Sequence, residues 1–215
     1  MAGGQSCAAF TEALRPGSLL EYTLYDEKDK VSGTTTYRVE RVVTVRDTVV
    51  AVTDVTIGRG RNDNKPLRFS VPIKCHGDVI YYSMRGLMPV PEVPVSGDMR
   101  MEVRGGELGY PASLQVGQRL PDAEMEIIFY VNDVALISQK QVVTDRVVEG
   151  RASVTTEAGT FDCFKITFTT EFTGWGMQRM RSELWYAPKV GTVKMMQYNK
   201  KNDIESRMEL TGISR

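Results

Sequence analysis

A chain of 215 residues with 41% hydrophobic content can bury a sizeable core and is too apolar to remain unfolded. Its 27 Lys and Arg balance 27 Asp and Glu, which argues against nucleic acid as the main partner, because a phosphate binder needs a basic surplus to displace counterions. No apolar run approaches the roughly 18 residues of a membrane-spanning helix, so no transmembrane segment is expected.

The chain starts Met1-Ala2-Gly3-Gly4-Gln5-Ser6-Cys7, without the basic and apolar regions of a signal peptide. A chain trimmed at a signal cleavage site has the same appearance. Gly4-Gln5-Ser6 is a poor sequence for lipid attachment at Cys7. Three cysteines, Cys7, Cys75 and Cys163, allow at most one internal disulfide, and three free thiols fit equally well. A bridge would require an oxidising compartment.

Phe10–Leu14 has the length of one short helical turn. After it, runs rich in Val, Thr, Tyr and Phe recur between Gly, Asn and Asp turn signals. Strands are predicted over Leu19–Asp26 and Gly33–Val45, with Asp26-Glu27-Lys28-Asp29-Lys30 as the hairpin tip. Val49–Ile57 follows. Gly58-Arg59-Gly60-Arg61-Asn62-Asp63-Asn64-Lys65 reads as a polar loop, and Pro66–Cys75 pairs with Val79–Met84 across Cys75-His76-Gly77-Asp78.

Met88-Pro89-Val90-Pro91-Glu92-Val93-Pro94-Val95 cannot sit in a central strand, and its interleaved apolar residues suit cover over a sheet edge. The second half predicts strands over Met125–Val131, Ala135–Thr144, Ala152–Thr156, Phe161–Phe172, Met177–Ala187, Thr192–Asn199 and Ile204–Leu210. Phe161–Phe172 is the clearest. Phe164, Ile166, Phe168, Thr170 and Phe172 share one face, while Cys163, Lys165, Thr167, Thr169 and Glu171 share the other. Cys163 is thereby expected on the more polar side, where a thiol reaches a partner or solvent. In the next strand Met180, Leu184 and Tyr186 oppose Arg179, Arg181, Glu183 and Trp185.

Leu14, Gly17, Val31, Val42, Val43, Thr44 and Arg46 recur at a constant offset as Leu114, Gly117, Val131, Val142, Val143, Thr144 and Arg146. Two readings follow: a duplicated β unit over 14–87 and 114–212 joined by the Pro-rich segment 88–96, or two unrelated meanders with common strand chemistry. Either way the expectation is a single all-β domain over 1–215, an antiparallel β-roll or half-barrel with little helix.

Catalytic constellations are missing. The one histidine, His76, lies in a turn, and its neighbour Cys75 points to the opposite side of a strand end, so a thiol–imidazole dyad is not expected. Glu124 and Glu126 share a strand face, as acids on a solvated strand commonly do. No phosphate loop, zinc-binding or nucleophile-elbow motif occurs, and no metal or cofactor is expected. Gly174-Trp175-Gly176-Met177, Trp185-Tyr186 and the methionines Met195, Met196 and Met208 serve core packing or, at a barrel mouth, an apolar ligand.

Leu184-Trp185-Tyr186-Ala187-Pro188-Lys189-Val190-Gly191-Thr192-Val193-Lys194 resembles the signature hairpin of the TapB-like family, β-rich envelope proteins of Gram-negative bacteria with no assigned function. Gly17-Ser18-Leu19-Leu20-Glu21-Tyr22, Tyr25–Thr34, Val148–Thr156 and Ala158–Ile166 agree in the same order, and Pro89–Gly109 matches weakly. These segments form turns and packing contacts and carry no chemistry of their own. The resemblance implies export to the periplasm or cell surface, and a β-roll or half-barrel. The expected function is therefore a periplasmic or secreted binding or structural protein, not an enzyme, with an envelope protein, lipid or glycan as partner. The alternative is a half-barrel carrier of a lipid or lipoprotein acyl chain, held against Phe164, Phe168, Met180 and Leu184.

Overall fold

The structure, a computed structural model, describes residues 7, 14–59, 66–86, 99–174 and 178–214. Thirteen strands account for most of it. They are β1 (Leu19–Asp26), β2 (Val31–Val45), β3 (Thr48–Arg59), β4 (Leu67–His76), β5 (Val79–Ser83), β6 (Met99–Gly105) and β7 (Glu107–Pro111). The second half supplies β8 (Ala123–Val131), β9 (Val134–Thr156), β10 (Gly159–Thr173), β11 (Gln178–Ala187), β12 (Gly191–Tyr198) and β13 (Ile204–Ser214). One 3-10 turn, Met84–Gly86, follows β5, and Cys7 is helical. The all-β expectation holds.

Turn chemistry sets the hairpins. Asp26 Oδ1 accepts the backbone N–H groups of Lys28 and Lys30, each at 2.9 Å, and Asp29 adopts φ 62°. Those bonds, that from Lys30 foremost, hold the Asp26 carboxyl below its ordinary range. Between β8 and β9, Asn132 and Asp133 take φ 48° and 59°, the left-handed pair that a two-residue hairpin turn requires.

The strands form one antiparallel sheet in the order β6-β8-β9-β10-β11-β12-β13-β1-β2-β3-β4-β5-β7. Two six-strand meanders, β1-β2-β3-β4-β5-β7 and β8 to β13, meet where β13 pairs β1. The sheet curls until its edges approach, and one stretch of chain spans the gap. β6 pairs β8 at one edge and β7 pairs β5 at the other, with only Gly106 between them. Gly105 (φ 66°) and Gly106 (φ 94°) make the pivot, and the Gly106 N–H donates to Glu124 O at 2.8 Å. The result is a nearly closed barrel.

The two lead-in turns are built alike. Leu14 and Leu114 are buried, and Gly17 and Gly117 take φ 90° and 86°. Gly17 N–H donates to Val39 O and Gly117 N–H to Val148 O, both at 2.8 Å. The echo diverges further on. Val42–Arg46 runs off the end of β2 into a turn, whereas Val142–Arg146 lies within β9.

Several expectations need correction. β6 and β7 were not anticipated, and Ala135–Thr144 and Ala152–Thr156 are parts of one 23-residue strand, β9. A bulge keeps that strand continuous: Thr167 pairs Val147 and Thr169 pairs Thr144, leaving one extra residue on β9 with Asp145 at φ 54°. The bulge turns Arg146 inward. Its guanidinium is 1% exposed and donates to Pro121 O at 2.6 Å and Gly109 O at 3.0 Å, tying β9 to the closing strand.

Cys7 and Cys75 form a disulfide, so Cys75 has no thiol to share with His76. Cys163 is free, but it does not face solvent. The alternation along β10 is as expected, yet Val154, Phe161, Ala187, Val190, Val193 and Trp185 cover that part of the outer face. The Pro-rich segment, the loop tip 60–65, the turn at 10–13 and the stretch 175–177 lie outside the described residues.

Candidate functional site

Inward side chains of β10 and β11 fill their half of the barrel. Phe164, Phe168 and Leu184 are buried in one cluster with Met125, Val143 and Ile166. Met180 is half-buried on the same strand face. The structure thus gathers three of the four residues expected to hold a ligand and packs them against other side chains, while Met180 is not part of that cluster.

The open space lies in the other half. A cavity of about 90 Å³ sits inside the barrel, walled by β1 to β5, β7, the start of β12 and the ends of β11 and β13. None of the four expected ligand residues lines it. Its wall is aromatic: Tyr22, Tyr37, Tyr82, Tyr110 and Tyr186 alternate with Val39, Val71, Ile73 and Leu108. Exposed Lys189 and Ser214 mark its mouth, between the β11–β12 turn and the end of β13.

The tyrosines brace one another. Tyr110 stacks on Tyr186 at 4.8 Å, and Tyr82 stands edge-on to both at 5.6 and 6.3 Å. Tyr22 meets Tyr37 edge-to-face at 5.6 Å and donates its hydroxyl to Thr192 O at 2.9 Å. Burial pushes the phenols of Tyr37 and Tyr82 up to about 12, and those of Tyr22 and Tyr186 well above their ordinary value. Tyr110 is raised as well, against an opposing pull from Arg146, whose guanidinium lies 4.8 Å from its ring. The aromatic wall is uncharged at neutral pH.

Two polar groups break the apolar surface. Ser18 and Thr53, 4% and 1% exposed, are among the lining residues; their hydroxyl oxygens are buried and find no hydrogen-bond partner among the described residues, and the same holds elsewhere for Ser182 Oγ, Gln141 Oε1 and Arg85 Nε. Ser18 and Thr53 flank Val39: Val39 N–H donates to Ser18 O, and Val39 pairs Thr53 across β2 and β3.

His76 is exposed in its turn, with Nδ1 3.4 Å from Asp47 Oδ2 and 3.4 Å from Thr48 Oγ1. Glu124 pairs Lys140 at 2.7 Å and Glu126 accepts from Ser138 at 2.7 Å, both on the surface. Among the described residues no cluster of His, Cys, Asp or Glu could hold a metal ion.

Sequence reasoning offered Tyr186 and Met208 as contacts of an apolar ligand, and both line the cavity, but it missed the other lining residues, for which a signal was present. Ser18, Leu20 and Tyr22 come from the Gly17–Tyr22 motif, and Tyr186, Lys189, Val190, Gly191 and Thr192 from the Leu184–Lys194 motif. Two segments far apart in the chain meet on one cavity.

A family model with the description DUF3108-like matches residues 15–210. The chain belongs to that family. The TapB-like name suggested by the hairpin motif is not the one this match carries. Among solved structures, the DUF3108-like chain is similar to a "putative exported protein with YmcC-like fold" from Bacteroides fragilis. The TM-score is 0.75 at 21% identity, over 94% of this chain and 97% of that one. It is also similar to a "putative lipoprotein" from Parabacteroides distasonis, with a TM-score of 0.76 at 19% identity over 94% and 96%. At these identities the likeness bears on the fold alone. No curated relative matches the chain.

Proposed function

We propose that this DUF3108-like chain is an exported binding protein, not an enzyme, whose barrel interior receives an apolar ligand. One observation carries the reading: two of the five segments behind the family resemblance, Gly17–Tyr22 and Leu184–Lys194, converge on the tyrosine-lined cavity although they lie far apart in the chain.

Location outside the cytoplasm belongs to the same proposal. The Cys7–Cys75 disulfide suits an oxidising compartment, and the two fold neighbours carry the descriptions of an exported protein and a lipoprotein. A place among the TapB-like envelope proteins rests on the hairpin motif.

Native mass spectrometry of the chain purified from a bacterial envelope tests the reading. The expected result is a bound mass in the hydrocarbon-chain range that disappears on denaturation. Bare protein mass, together with failure to bind any aliphatic probe, would overturn it.

A further inference from the structure

We draw no further inference here: the strongest candidate, the apolar tip of the β8–β9 hairpin where Val134, Leu136 and Ile137 are exposed, carries nothing because nothing in the structure shows what covers it.

Discussion

At the scale of single residues, Cys163 shows how neighbours override a strand's alternation. Period two places it on the outer face, and the structure agrees, yet it is 2% exposed beneath its apolar neighbours. Its Sγ donates to Phe161 O at 3.5 Å, and burial first, then the Asp162 charge, pushes the thiol up to about 11. At pH 8 about one thiol in a thousand is then ionised. Iodoacetamide is accordingly expected to leave the native protein unlabelled at pH 8 and to modify one thiol per chain once denaturant is added without reductant. Rapid labelling of the native chain would refute the burial. The cavity was hidden for a different reason: Tyr22, Tyr37 and Tyr110 read as ordinary strand residues, and only the sheet's closure brings them to the same cavity as Tyr186.

At the scale of elements, the strands with strong alternation were legible and the interrupted ones were not. Leu19–Asp26 matches β1 at both ends, and its Asp26–Lys30 turn has the side-chain bonds its composition predicts. β6 and β7 escaped because Gly105, Gly106 and Gly109 break any periodic signal. Those glycines are what closure requires. A Cβ on Gly105 would stand 2.5 Å from Glu124 O, at a φ of 66° that side chains rarely adopt. Gly105→Ala is therefore expected to lower unfolding stability by about 2–3 kcal/mol in urea melts. Gly150→Ala, where nothing lies within 4 Å, should change it by less than about 0.5 kcal/mol. Equal effects from the two would sink the pivot argument. β9 was read as two strands because its bulge at Asp145 breaks the pattern midway, the same feature that buries Arg146.

For the whole molecule, the buried phenols predict an alkaline limit. A tyrosine whose folded pKa is raised gives stability that is complete below its unfolded value near 10 and lost as pH climbs through the folded value. For Tyr37 and Tyr82 that window runs from about 10 to about 12. Tyrosinate absorbance is expected to rise for these rings in one step with the loss of near-ultraviolet dichroism, and Tyr37→Phe to move that step to higher pH. Tyr37 and Tyr82 titrating while the dichroism persists would contradict the closed interior. Fold class and the meander were within reach of the sequence because they depend on local pattern. The cavity was not, since it depends on how far the sheet curls.

The pairing order of that sheet also carries a kinetic consequence. Most strands find their partner across a short turn, whereas β1 and β13 join residues as distant as Leu19 and Ser214. Closing so long a loop costs about 3 kcal/mol more entropy than closing a short hairpin. Each meander can therefore assemble by itself, with the β1–β13 seam zipping last. Because the cavity draws its wall from both sides of that seam, the chain has no cavity until its final pairing step is complete.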